Sequence, residues 1–314
     1  MQTHSPLQTI QHPLFAKHKL EVKIKRDDLI HPIISGNKWR KLKYNLSFAK
    51  EQGFKGALSF GGSYSNHIHA LAFACYQQQL PCRGIIRGES QYAANCTLSQ
   101  AQSWGMELTF VDRQTYRLRH DQAYLQELQA LYPDYYIIPE GGSNELALPG
   151  VGEVIMELNE QTDFDTLMAP VGSGGTLAGL IAADNNQHQL LGVAVLKQQD
   201  YLIQEVKQLL GSNAGQHHHW QILNTFHRGG YARFSEDDCQ RILAFNRQTG
   251  ITFEPVYSGK MLLALLDLIE QEYFPPGHKI ILLHTGGLQG LGGLSERGLI
   301  KGKDWSVPAF KADT

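Results

Sequence analysis

Lys38 stands in Ser35-Gly36-Asn37-Lys38-Trp39-Arg40-Lys41-Leu42, shortly after the charged run Lys25-Arg26-Asp27-Asp28. Gly36 and Asn37 free the backbone for a tight entry, and Trp39 and Leu42 give the turn that follows an apolar side. A lysine held this way has a fixed direction and a partly dry environment. Burial disfavours the ammonium form, so the amine becomes a nucleophile near neutral pH, and amine nucleophiles attack aldehydes. A solvated lysine on a basic helix is the competing reading, since Lys41 and Lys43 are close by.

Three further segments carry groups that bind anions or orient a ring. In Val171-Gly172-Ser173-Gly174-Gly175-Thr176-Leu177 the glycines let successive N–H groups converge. The helix N-terminus behind them adds positive potential. The hydroxyls of Ser173 and Thr176 add donors. A Walker loop needs a lysine that is missing here. The dinucleotide fingerprint needs glycine where Leu177 stands, and an acid where Lys197 stands. A lone phosphate remains, such as that of pyridoxal phosphate, whose aldehyde is also the natural partner of Lys38. A glycine turn made only for close packing is the alternative.

Gly61-Gly62-Ser63-Tyr64-Ser65-Asn66-His67 also joins a strand to a helix. Ser65 is a natural N-cap, and the amides of Asn66 and His67 suit a substrate carboxylate, while the Asn66 side chain suits a phenolate oxygen. Plain capping by Ser65 is the other reading. His67 and His69 face different sides of the helix, which argues against a shared metal. In Phe253-Glu254-Pro255-Val256-Tyr257-Ser258-Gly259-Lys260, Tyr257 lies at a turn before a helix, either beside a ligand or packed under the turn. Ser258 is a possible helix cap.

The elements that must position these groups alternate in type. Short apolar runs predict strands over 56–60, 83–87, 107–111 and 135–138, with helices over 66–79, 92–104 and 116–131. A second series predicts strands over 167–171, 190–196 and 280–283, with helices over 151–159, 176–183, 201–210, 236–248 and 259–271. Such a series makes α/β layers on parallel sheets, and the architecture expected is two such domains with a cleft between them. In open parallel sheets ligands bind at the carboxyl ends of strands. The loop 61–67, the loop 172–176 and the stretch Thr285-Gly286-Gly287 all lie at such ends.

With 314 residues the chain has ample length for two cores, and a net charge of −2 gives no electrostatic case for nucleic acid or an acidic membrane. No apolar run is long enough for a membrane span, and the N-terminal 13 residues have no signal-peptide character. Cys75, Cys82, Cys96 and Cys239 lack CxxC spacing, which predicts reduced thiols in a cytoplasmic protein. The run His217-His218-His219 has no further ligands at metal spacing, so no metal is expected.

Taken together, Ser-Gly-Asn-Lys, Ser-Asn-His and Pro-Val-Tyr-Ser-Gly-Lys in this order resemble the pyridoxal-phosphate enzymes of the tryptophan-synthase-β fold type (fold type II). More narrowly, they resemble the D-cysteine desulfhydrase and 1-aminocyclopropane-1-carboxylate deaminase family. The likeness runs from Lys25-Arg26-Asp27-Asp28 to His284-Thr285-Gly286-Gly287. It implies a larger cofactor-binding domain from residues 1–45 and 149–314, a smaller α/β domain from 46–148, and a homodimer. It implies the internal aldimine on Lys38, Asn66 against the phenolate oxygen, and the phosphate on Gly172, Ser173, Gly174, Gly175 and Thr176. Ser65 matches a serine near the substrate carbon and carboxylate, with His67 beside it. Tyr257 matches a tyrosine by the ring, and Tyr231 a second one.

Two positions choose within the family. The deaminases resemble one another in having Glu after the tyrosine and Leu before the glycine pair. Ser258 and Thr285 stand there instead, as in the desulfhydrases. A carboxylate facing the pyridine nitrogen makes a strong electron sink and a hydroxyl a weak one, which suits loss of a good leaving group such as sulfide. Tyr64 replaces a usual Gln and His69 a common Arg, so these departures bear on the substrate more than on the cofactor. The expected function is β-elimination on a small amino acid, D-cysteine first, giving pyruvate, sulfide and ammonia. Lys38, Ser65 and Tyr257 are the candidate bases. The alternatives are deamination of 1-aminocyclopropane-1-carboxylate, D-serine dehydration, and sulfo-amino-acid lyase activity. A small-anion binding module without catalysis is the alternative of another class.

Overall fold

The computed structural model describes residues 4–197 and 199–305. They divide into two compact units, the first comprising residues up to Asn37 with Leu148–Leu288, the second Lys38–Ala147 with the residues from Gln289 on.

The first unit is built on a six-stranded sheet. Its strands are β1 (Leu7–Thr9), β2 (Glu21–Lys25), β7 (Thr166–Val171), β8 (Gln189–Ala194), β9 (Trp220–Leu223) and β10 (Lys279–Leu283). The order is β1-β2-β10-β7-β8-β9. All neighbours run parallel except β1 on β2, which pair antiparallel with Gln8 opposite Ile24. The central strand β7 is buried along its whole length, as a strand covered on both faces must be. Around the sheet lie α1 (Pro13–Lys17), α7 (Ala147–Gln161), α8 (Gly175–Asp184), α9 (Gln199–Leu210), α10 (Glu236–Thr249) and α11 (Ser258–Glu270). α8 and α11 are buried almost all round, so the first unit closes on them. α10 starts on a reciprocal cap between Ser235 and Asp238 and stops at Gly250.

The second unit carries four parallel strands in the order β5-β4-β3-β6: β3 (Gly56–Gly62), β4 (Cys82–Arg87), β5 (Met106–Val111) and β6 (Tyr135–Ile138). Its helices are α2 (Asn37–Glu51), α3 (Asn66–Gln77), α4 (Cys96–Ser103), α5 (Arg113–Arg117), α6 (Gln122–Leu131) and α12 (Gly290–Glu296). α12 packs against α4. All seven strands expected from apolar runs are present within a residue or two at each end.

Local capping explains where the helices differ from their periodicity. The helix expected over 92–104 begins only at Cys96, because Asn95 Oδ1 accepts from Thr97 N at 2.9 Å and Leu98 N at 2.8 Å. The helix expected over 116–131 is two helices. Asp112 caps α5 and Asp121 caps α6, each accepting amides of its own first turn. β1, β2 and β9 lack long apolar runs, so apolar pattern does not announce them. β1 and β9 are short edge strands, and β2 carries alternating lysines.

Candidate active site

The loop after β7 opens α8 at Gly174, whose φ of 75° is left-handed and suits glycine. No side chain caps this helix. Its first-turn amides and positive dipole end are therefore offered to an anion. Thr176 is buried, and its hydroxyl accepts from Asn37 Nδ2 at 2.6 Å. Tyr257 closes one side of the loop: a Cβ on Gly172 would meet the Tyr257 ring at 3.2 Å. The Tyr231 and Tyr257 rings meet edge to face at 5.9 Å between centroids. Gly172, Ser173, Gly174, Gly175, Thr176, Tyr257 and Tyr231 are thus gathered in the first unit.

Asn37 owes its position to a close crossing of two chain segments. Gly36 has φ 69°, and a Cβ there would sit 1.8 Å from the Thr285 carbonyl oxygen. Asn37 N donates to that same oxygen at 3.3 Å, and Gly36 N donates to Asp27 O at 2.9 Å. Serine-glycine-asparagine and threonine-glycine-glycine are therefore two halves of one packing joint, which the sequence did not reveal. Lys38 follows Asn37 in the chain, so its peptide leaves this joint directly.

Below Tyr257, Glu254 is fully buried and accepts from Val256 N at 2.7 Å, Tyr257 N at 2.9 Å and Ser258 N at 2.7 Å. Ser258 Oγ accepts from Glu254 N at 3.0 Å and donates to Glu254 Oε1 at 3.1 Å. Burial pushes the Glu254 carboxyl up, against the pull of these donors. Lys260, also fully buried, donates to the carbonyls of Val195 and Gly230. Burial brings its amine down to about 8. The Gly230 contact fixes the residue before Tyr231. Neither Glu254 nor Lys260 stands out as a site residue in the sequence; a charged pair flanking a tyrosine turn is the available signal.

In the second unit, Lys38 and Lys41 lie one turn apart on α2. Burial brings the Lys38 amine down to about 8. Lys41 is pushed well down by burial and then by the Lys38 charge. Its ammonium group reaches Ser143 Oγ at 2.9 Å and Gly141 O at 3.4 Å. Ser65 is the N-cap of α3, and its Oγ accepts from Ile68 N at 3.3 Å, so the capping reading holds. Its own hydroxyl hydrogen is not used by that bond. Asn66 opens the same helix, and α12 lies against it: a Cβ on Gly290 would approach Asn66 Oδ1 to 3.3 Å. His67 turns to Ser59, and His69 to Gln100 and Trp104. Among the described residues, no group of three His, Cys, Asp or Glu side chains is placed to hold a metal.

The uncapped start of α8 suits a phosphate group, and in the second unit the Lys38 amine, brought down by burial, suits an aldehyde; each fits a part of pyridoxal phosphate. The chain belongs to the pyridoxal-phosphate dependent enzymes, whose family model matches residues 2–286. It is 31% identical over 284 residues to a Pyrococcus horikoshii protein provisionally named a 1-aminocyclopropane-1-carboxylate deaminase, covering 86% of this chain and 85% of that one. It is 30% identical to the bifunctional D-cysteine desulfhydrase/1-aminocyclopropane-1-carboxylate deaminase of Arabidopsis thaliana, covering 86% and 73%. Among solved structures, that of a 1-aminocyclopropane-1-carboxylate deaminase homologue superposes with TM-score 0.79 at 28% identity, over 94% of this chain and 93% of that one. The protein is a pyridoxal-phosphate dependent lyase of the fold type II class, with relatives named for deamination and desulfhydration.

Proposed function

We propose that the enzyme carries out β-elimination on D-cysteine, releasing pyruvate, sulfide and ammonia. Lys38 would hold the cofactor's carbonyl carbon, and the amides and hydroxyls of Gly172, Ser173, Gly174, Gly175 and Thr176 its phosphate. Asn66 would face its phenolate oxygen, Tyr257 and Tyr231 its ring, and Ser258 and Thr285 the nitrogen edge. Bound there, the cofactor supplies an aldehyde for amines and a ring that takes up the electron pair left by the α-proton. The chain's own groups do the rest. Ser65, with Asn66 and His67 at the start of α3, receives the substrate carboxylate. Lys38 once displaced, Ser65 and Tyr257 are the groups able to take the α-proton.

The observation that carries the choice of substrate is the bonding of Ser258. Its one hydroxyl hydrogen is directed to Glu254, and Glu254 N donates to its oxygen. A group so engaged is a poor proton donor to a ring nitrogen, so electron withdrawal is modest and a good leaving group is needed. Opening a cyclopropane asks for more. The test is release of 2-oxo acid from D-cysteine, D-serine, a sulfo-amino acid and 1-aminocyclopropane-1-carboxylate. D-cysteine is expected to lead; 2-oxo acid from the cyclopropane with none from D-cysteine defeats the choice.

The same reading includes a homodimer, on the family resemblance, and a cytoplasmic location, supported by four cysteines that are all free. No described helix is long and apolar enough to cross a membrane.

A further inference from the structure

Lys260 is fully buried in the first turn of α11, and the site as described gives it no chemical task. Among the described residues its hydrogen-bond partners are two backbone carbonyls, Val195 O at 3.3 Å and, closer, Gly230 O. Burial works against its ammonium form, the Glu254 and Asp238 charges favour that form, and the Arg228 charge opposes it. A methionine would fill the same space without the cost of burying a charge. What the lysine adds at this place is its N–H donors. Val195 is a fixed point: it is fully buried just past the end of β8, and its N donates to Val171 O at 3.0 Å. Gly230 lies in the loop between β9 and α10. The amine therefore fastens that loop to the carboxyl edge of the sheet.

The loop needs such a fastening. It consists of two successive turns that share Gly230: Gly230 N donates to His227 O at 3.0 Å, and Arg233 N donates to Gly230 O at 3.1 Å. Arg228, Gly229, Gly230 and Ala232 have φ of 52°, 92°, 112° and 51°. Residues with a side chain, such as Arg228 and Ala232, rarely adopt these values. Backbone of this kind persists where its neighbours hold it, and it gathers at ligand sites. At the entry of the loop, Arg228 Nη2 binds Asp267, and its Nε lies 3.6 Å from Asp238 Oδ1. At the shared residue the hold is Lys260. The next residue is Tyr231, which is 47% exposed and meets the Tyr257 ring edge to face at 5.9 Å. A ring with half its surface in solvent takes much of its direction from the backbone that carries it. Tyr257 is the residue from which α11 starts, so Lys260 reaches one tyrosine through its own helix and the other through the Gly230 carbonyl.

We propose that Lys260 is a positioning residue for the reaction, acting through the Gly230 carbonyl to set the Tyr231 ring against Tyr257. It touches neither cofactor nor substrate. It holds the shared residue of the two turns, and so fixes where the phenol that follows stands. This rests on the reading of Tyr231 as a residue of the cofactor site, and goes beyond it in assigning what holds Tyr231 there.

The test has a spectroscopic and a kinetic reading. The first is ring NMR of the full-length protein labelled in tyrosine, with the Tyr231 signal assigned by its loss in Tyr231→Ala. Beside the Tyr257 ring that signal is expected away from the position of free tyrosine, and in Lys260→Met it should move towards it. The second is a double-mutant cycle on the amino acid that leads the 2-oxo acid assay. Lys260→Met is expected to lower kcat/KM about tenfold in the parent, and less than about twofold once Tyr231→Ala is present, because a residue acting through Tyr231 then has nothing to act on. Lys260→Gln keeps two N–H donors on a shorter stem and carries both readings if Lys260→Met does not fold. A Tyr231 signal unmoved by either substitution overturns the proposal. So does an equal kinetic loss with and without the Tyr231 side chain, which is what a merely structural role for Lys260 would give. A Tyr231→Ala enzyme with the parent rate sinks the placement of Tyr231 in the site, and the proposal with it. An unmoved Tyr231 signal beside a slow Tyr231→Ala enzyme sinks the proposal alone.

Discussion

Asn37 donates from its side-chain amide to the Thr176 hydroxyl at 2.6 Å, joining residues 139 positions apart in the chain. The bond ties the residue before Lys38 to the first turn of α8, the helix proposed to hold the cofactor phosphate. Asn37→Ala removes it and leaves the buried hydroxyl to reorient. Cofactor affinity is expected to weaken about tenfold, the worth of one such bond. Equilibrium titration of the cofactor-free protein measures this, and an unchanged dissociation constant contradicts it.

The joint at Gly36 makes a sharper demand. A methyl group at residue 36 would overlap the Thr285 carbonyl, and the φ of 69° disfavours any side chain. Gly36→Ala is expected to cost on the order of 3 kcal/mol or more. Gly53 has a similar φ of 78° with nothing within 4 Å of a Cβ, so Gly53→Ala should cost only about 1 kcal/mol. Denaturant unfolding of the two variants separates overlap from backbone strain; equal losses would show that the crossing with Thr285 is not what matters.

Glu254 holds three successive amides and the Ser258 hydroxyl at the start of α11. Glu254→Ala strands those donors in the interior and is expected to destabilise the fold by about 3 kcal/mol or more. Glu254→Gln keeps an acceptor and should lose less. Chemical denaturation ranks the two, and equal loss in both would mean that the carboxylate's acceptor role is not what stabilises the turn.

The Lys38 amine, near 8 in the folded protein against 10.5 for an ordinary lysine, links stability to pH. Below pH 8 the ammonium is buried and the folded state bears the full penalty. Between 8 and 10.5 the unfolded chain binds more protons than the folded one, so stability contributed at this residue rises with pH. Cofactor-free Lys38→Met should therefore be more stable than the parent at neutral pH, with the difference shrinking through that window. Thermal midpoints at a series of pH values decide it; a constant difference would mean that Lys38 is not depressed.

The chemistry was more legible than its supports. Strands β3, β7 and β10 are largely apolar runs that lead into glycine or polar residues, and such ends announce ligand loops. Ser65 could be read as a helix cap because capping is local. The Gly36 crossing with Thr285 joins residues far apart in sequence, so each half looked like an isolated turn. The contact of His67 with Ser59, itself held to a carbonyl in β6, crosses from a helix to the sheet, and pattern carries neither partner. Edge strands β1 and β9 are only 3 and 4 residues long, too short for alternation to show.

Which amine bonds the cofactor is the central question of the chemistry. Lys38, Lys41 and Lys260 are all depressed by burial, so the choice is a real one. Borohydride reduction of the cofactor-loaded protein, followed by proteolysis and mass mapping, reads the answer directly. The pyridoxyl group is expected on the peptide containing Lys38, with none trapped there in Lys38→Ala; the label on Lys41 or Lys260 instead would contradict the assignment.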